Sequence, residues 1–401
     1  MSSFNDTSII TFHDLNQRQE QDDHYIGRDD IGSYVAVPEL GIEVITLLQK
    51  ELTVGEVKQI LKEKYEEDIE VDPFINTLIQ LKFVKAIDST VLEDNRKKKK
   101  YLFTSTTSHH VSWLFSTPAF VVYTGVCIAA LIIMGINHSY IPRHQDIFFH
   151  PRFTIILLIA VILSWLLVFK HEMAHLFALK SLGLQGKFSL SHRLHFVVAE
   201  TDMTQLWMKP RKDRYLPYAA GMISDVVTAS SLVVVLWVSD AGLFFMPDIL
   251  YNICKFIILS QFIGILWQFQ FFMRTDVYYI LSTALNCKNL YGDAQTVIKN
   301  HIYKIMGKSP QPIEGVSKKE MKAIRIYSVF LALGTGSVLA IVILYVIPIL
   351  YTMVTEVYTN IVSGYIPGNK QAFIDGVILT GIMLFQWGLL IFLIVKNYKR
   401  T

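Results

Sequence analysis

The sequence predicts a mainly α-helical polytopic membrane protein carrying a small N-terminal winged-helix-like α+β domain, and three observations lead there. The 401 residues are 52% hydrophobic and only 18% charged, with a mean hydropathy of +0.38, whereas a soluble domain carries about 25% charge. Six apolar runs, at roughly 118–136, 153–179, 215–239, 251–272, 327–350 and 374–395, are each long enough to cross a hydrocarbon core of about 30 Å as a helix. The stretch before residue 110 has no such run, only dense charge and short apolar periodicities. An ordinary soluble enzyme is thereby excluded. A net charge of +3, spread over loops, also argues against a nucleic-acid partner.

Within the N-terminal part, Ser33–Val37 reads as a strand and Ile42–Leu48 as a short helix. Thr53 stands three residues before Glu56, the spacing of a capping box, and Val57, Ile60, Leu61 and Tyr65 continue a helical stripe from that start. A third helix is expected over Asp72–Leu81, followed by a strand at Phe83–Ile87. These elements give a domain over 1–95. A linker over 96–117 follows, with the basic run Lys97–Lys100 and the serine- and threonine-rich stretch Thr104–Ser108. The lysines read either as a solvated linker or as an inside-facing anchor against anionic headgroups, which the nearby apolar run favours. A membrane domain then fills 118–401.

Positive charge orients the spans. With the N-terminus in the cytosol, the loops at 180–214 and 273–326 share its side, and both are rich in lysine and arginine. The opposite loops carry few positive residues, so the positive-inside rule is obeyed and both termini are expected in the cytosol. No basic start followed by an apolar core precedes the first span, so that helix is expected to target the chain itself. Cys127, Cys254 and Cys287 are too scattered for a disulfide framework or a thiolate metal cluster.

The second apolar run ends in His171-Glu172-Met173-Ala174-His175. Residues four apart share one face of a helix, so both imidazoles can meet one Zn²⁺ while Glu172 stands beside them as a base for water. Three ionisable groups at the end of an apolar helix are costly unless they bind something. A third protein ligand is required, and Asp276 is the candidate, because the fourth run returns it to the membrane face that His175 occupies. Asp202 is a candidate accessory carboxylate, with a plain loop or helix-cap role an equal alternative. Asp225, inside an apolar helix beside the small residues Ala220, Gly221 and Ser224, is read mainly as a structural polar contact. The stretch from Gly186 through Val198 is expected to be extended and to hold substrate by its backbone, with His192 and His195 at the surface or along a substrate channel.

These residues resemble the site-2-protease-like intramembrane zinc metallopeptidases, particularly a bacterial peptide zinc metalloprotease branch. The likeness runs from the His171–His175 motif through Asp202 and Ala220–Asp225 to Arg274-Thr275-Asp276-Val277-Tyr278-Tyr279, over roughly 153–290. It implies His171, His175 and Asp276 as zinc ligands and Glu172 as catalytic base. In that family a glycine usually follows the aspartate, where this sequence has Val277. An upstream asparagine that helps hold substrate has only Gln268 as its candidate here. The N-terminal part, through Gly32–Val37, Thr53–Val57 and Leu81–Val84, resembles the small winged-helix peptide-recognition domain found with enzymes that mature ribosomally made peptides. That likeness implies a leader peptide as partner.

The expectation is therefore an intramembrane zinc metalloendopeptidase of the bacterial cytoplasmic membrane, acting on a small peptide or a membrane-protein substrate. A noncatalytic membrane peptide-binding or immunity protein is the alternative, and intact Glu172 counts against it. A metal-bound transporter would need a pair of interrupted polar helices, which the sequence does not present.

Overall fold

The computed structural model describes residues 4–20, 23–94, 101, 107–193, 196–313, 316–348, 351, 354–355, 358–359 and 370–398. The Lys97–Lys100 run, Thr104–Thr106 and His195 lie outside them. The chain forms two compact units, one of Met1–Thr106, Gly183–Lys187 and Asp202–Arg214, the other of Thr107–Leu182, Phe188–Thr201 and Tyr215–Thr401.

The first unit runs β1 (Ile10–Phe12), β2 (Asn16–Glu20), β3 (Asp23–Arg28), β4 (Ser33–Val37), α1 (Glu39–Leu48), α2 (Val54–Tyr65), α3 (Val71–Gln80), β5 (Val84–Ile87) and β6 (Thr90–Val91). The capping box at α2 is present: Glu56 N–H donates to Thr53 Oγ1 at 3.3 Å and Thr53 N–H donates to Glu56 Oε2 at 2.7 Å. Two amides are thereby satisfied, one of them in the first turn, where amides lack helical partners. Val44, Ile45 and Leu48 from α1, Val57 and Leu61 from α2, and Ile75 and Leu78 from α3 close over Phe83 in one core. The β5–β6 hairpin pairs antiparallel with β1, Ile10 opposite Ile87 and Ala86 opposite Val91, and forms the wing.

A second antiparallel sheet, β2-β3-β4, was not expected before Ser33. Its first strand reads Asn-Gln-Arg-Gln-Glu and has no apolar alternation to reveal it. Its partners come from far along the chain. Arg214 lies over the Tyr25 and Trp207 rings at 5.7 and 5.2 Å and donates to Glu20 Oε2 at 2.8 Å across 194 residues. Gly27 stands opposite Tyr34, where a Cβ would fall 2.0 Å from the ring, so a glycine is what lets the tyrosine lie across the sheet.

The second unit opens with a single helical turn, α4 (Ser108–Val111), and continues through α5 (Thr117–Ile136), α6 (Phe153–Ser181), the paired strands β7 (Lys187–Arg193) and β8 (Phe196–Asp202), α7 (Arg211–Asp240) and α8 (Asp248–Gln268). The first residue of β7 and the last of β8, like the first turn of α7, belong to the other unit. Then come α9 (Asp276–Leu285), α10 (Leu290–Ile305), α11 (Lys318–Ile341) and a last helix over Lys370–Tyr398. Among the described residues six helices are long and apolar enough to cross a membrane: α5, α6, α7, α8, α11 and the last. Their outward faces are apolar, with Leu131 65% and Ile136 79% exposed, which suits lipid and not water. Ala130, Val233, Leu236 and Ile258 join α5, α7 and α8, and Phe149, Ile156 and Phe256 seat α6 on α8.

Two boundaries differ from the hydropathy reading. The fourth span stops at Gln268 instead of 272, because the apolar Phe271–Met273 folds into a 3₁₀ turn. The fifth begins at Lys318 instead of 327, where Ser317 Oγ accepts the Glu320 N–H and caps a polar first turn. Apolar content alone marks neither a polar helix start nor an apolar turn.

Candidate metal centre

His171 lies about 26 Å along α6 from Thr154 at 1.5 Å per residue, near the far boundary of a 30 Å hydrocarbon core. His171, Glu172 and His175 are all buried there. The α8–α9 connection brings in the third group. Arg274 takes the left-handed conformation at φ 59° and ends the 3₁₀ turn. Thr275 Oγ1 then donates to the Gln268 carbonyl at 2.5 Å, and Asp276 N–H to Gln268 Oε1 at 3.1 Å. Gln268 thus fastens Asp276 to the end of α8. Val277 lies within α9 and is not among the residues with positive φ, so its branched side chain meets no turn that needs glycine.

Asp276 Oδ2 stands 3.0 Å from His171 Nε2 and 3.1 Å from His175 Nε2, and the two Nε2 atoms are 3.2 Å apart. The three residues form a group able to hold a metal ion. The other ring nitrogens fix what these atoms carry. His175 Nδ1 donates to the Pro217 carbonyl at 2.7 Å, an oxygen that can only accept. His171 Nδ1 donates to Asp225 Oδ2 at 2.6 Å. With both Nδ1 atoms protonated, neutral imidazoles turn bare Nε2 lone pairs toward a carboxylate oxygen. Three acceptors at that spacing, largely dry, call for a cation between them. Asp276 adds a carboxylate oxygen to the two imidazole lone pairs, a set of donors suited to a divalent cation.

Helix α7 forms the opposite wall. Pro217, Gly221, Ser224, Asp225 and Thr228 recur at helical spacing on one face. Pro217 and Asp225 hold the two histidines. Ser224 O and Thr228 Oγ1 accept from Lys170 Nζ at 3.1 and 2.8 Å, and Lys170 also pairs with Asp225 Oδ1 at 3.0 Å. Gly221 sits where a Cβ would meet His171 Nε2 at 2.4 Å and His175 Nε2 at 2.5 Å. Asp225 thus accepts from His171, one member of the group able to hold a metal ion. Replacing it by asparagine is expected to weaken metal binding about 10–100-fold, the range for groups that orient ligands; zinc titration of the purified variant measures it, and unchanged affinity contradicts the assignment.

Thr201 and Lys170 were missed from sequence. Thr201 Oγ1 lies 2.7 Å from Glu172 Oε2 and 3.2 Å from the Glu172 carbonyl, sharing one proton between them. A lone threonine in an alternating stretch gives no local sign of this. Asp202 folds with the other unit, where its Oδ1 accepts from the N–H and hydroxyl of Thr204 and caps a turn. No family model, curated protein or solved structure matches this chain.

Proposed function

We propose that this chain is an integral membrane zinc metallopeptidase that hydrolyses a peptide bond in a small ribosomally made peptide or a membrane-associated protein. The observation that carries the reading is the convergence of His171, His175 and Asp276, with Glu172 beside them, at the buried end of an apolar helix. The donor set fits zinc. Two imidazoles and a carboxylate make a familiar catalytic ligand set, and tetrahedral bonds of about 2.0–2.1 Å put ligand atoms about 3.3–3.4 Å apart, close to the spacings given above. Bound there, zinc supplies the Lewis acidity that polarises a carbonyl and acidifies water.

The remaining work falls to the chain. Thr201 steadies Glu172 through Oε2, and Oε1 takes the proton of the attacking water and returns it to the leaving amine. Asp225 and the Pro217 carbonyl keep both imidazoles in the ligand tautomer. The β7–β8 strands lead to this machinery through Thr201, which supports their use in holding an extended substrate. The basic loops support a cytosolic active face in a bacterial cytoplasmic membrane, with both termini on that side. On this reading residues 1–95 form a recognition domain, with β4 as an outer strand of its sheet for a leader peptide to extend, 96–117 the linker, and 118–401 the peptidase with its core at 153–290.

Glu172→Gln decides between an enzyme and a binding or immunity protein. It is expected to keep zinc and to lose about 10²–10⁴-fold of peptide hydrolysis, measured on a peptide library with protein in vesicles. Hydrolysis equal to wild type refutes Glu172 as base. Peptides bound by zinc-loaded wild type without turnover favour the noncatalytic alternative.

A further inference from the structure

The turn that delivers Asp276 and the strand that carries Thr201 also line a cavity of about 880 Å³. Its polar rim holds Glu200, one residue before Thr201, Arg274, two residues before Asp276, and Lys299 on α10. Its far wall is α11, where Leu331, Gly336 and Leu339 face it within a membrane-spanning helix. The cavity thus combines charged groups with an apolar wall inside a membrane-spanning helix. Arg274 lies over the Tyr291 ring at 5.3 Å, which holds the guanidinium plane, and a planar fork suits a carboxylate better than a point charge does. Arg274 and Lys299 face the single carboxylate of Glu200 among the lining residues, so the rim keeps a cationic excess.

We propose that this cavity is a specificity subsite, taking a peptide segment whose apolar side chain rests on α11 and whose carboxylate meets Arg274 and Lys299. The proposal rests on the peptidase reading. A peptide is favoured over a lipid because Glu200 and Arg274 lie one and two residues along the backbone from Thr201 and Asp276, so a chain bound in the cavity starts only a few residues' length from the proposed reacting centre. The carboxylate has two sources, an acidic side chain or the peptide's C-terminus.

The test uses the full-length Glu172→Gln protein in detergent and fluorescence anisotropy of short leucine- and alanine-rich peptides labelled with fluorescein. One carries an internal aspartate and an amidated end, a second asparagine and an amidated end, a third asparagine and a free end. A carboxylate on either the first or the third is expected to tighten binding about tenfold over the second, and whichever gains identifies the source. Arg274→Gln with Lys299→Gln should abolish that gain and leave the second peptide within about twofold. Lys299→Glu alone, at an exposed position, should reduce the gain without disturbing the fold, and unchanged zinc content of each variant serves as the check on folding. Charge-blind binding, a gain that survives the double substitution, or no binding by any peptide overturns the proposal. Displacement of the aspartate peptide by phosphatidylglycerol at comparable concentration does so too, in favour of a lipid. Zinc content and hydrolysis by wild type stand apart from these arms: if both are intact and binding is charge-blind, only the subsite fails.

Discussion

Wild-type protein reconstituted with zinc is expected to hold about one ion per chain, and His171→Ala, His175→Ala and Asp276→Ala are each expected to lose it. The three donor atoms lie within 4.8 Å of one another, and no other His, Cys, Asp or Glu among the described residues joins that group. A two-ligand remnant is therefore all that any single substitution leaves. The loss should exceed the roughly 10–100-fold typical of groups that only orient ligands, so Asp225→Asn serves as the graded comparison. Chelation should reproduce the loss in wild type and lower its thermal midpoint. At a thousandfold excess of free metal over the dissociation constant, binding contributes about 4 kcal/mol, and that increment should be missing from all three variants. Acidification should weaken binding, because each Nε2 must be unprotonated to act as a donor. Zinc stoichiometry by elemental analysis, with and without chelator, checks the whole set. Full occupancy in any one of the three variants removes that residue from the ligand set.

The sequence made some of these residues plain and hid others, for physical reasons. His171 and His175 are legible because helix geometry alone puts residues four apart on one face. Asp276 is legible at one remove, through the parity of membrane crossings. Length and apolar content likewise reveal the spans, since the bilayer thickness is fixed. The features that depend on contact between distant segments are silent. Thr201 meets Glu172 across 29 residues, and the polar strand β2 finds its partners near Arg214; neither leaves a periodic trace. Gln268 illustrates a middle case. The family likeness draws attention to that position as a substrate contact, while the structure gives its side-chain oxygen to the Asp276 amide.

Gly221→Ala should be the most damaging substitution outside His171, Glu172, His175 and Asp276. Its added methyl would stand 2.4 Å from His171 Nε2 and 2.5 Å from His175 Nε2, well inside any carbon–nitrogen contact and in the direction of the donor lone pairs. The imidazoles cannot retreat freely. Nδ1 of His171 is held by Asp225 and Nδ1 of His175 by the Pro217 carbonyl, and both anchors belong to the same helix as Gly221. Moving that helix outward would break the bonds that fix the tautomers. Zinc affinity is accordingly expected to fall on the order of a hundredfold or more, beyond what loss of one orienting group produces. Helix α7 itself should survive, since alanine is the better helix former by about 1 kcal/mol and overpacking typically costs about 1–3 kcal/mol. Gly264→Ala in α8 is the matched control: nothing lies within 4 Å of its added carbon, so zinc binding should be unchanged. Zinc titration of the two variants, with helical content compared by circular dichroism, separates a blocked centre from a damaged fold. Wild-type affinity in Gly221→Ala would mean that α7 does not approach the histidines this closely, and the glycine would then lose its place as the residue that makes room for the ion.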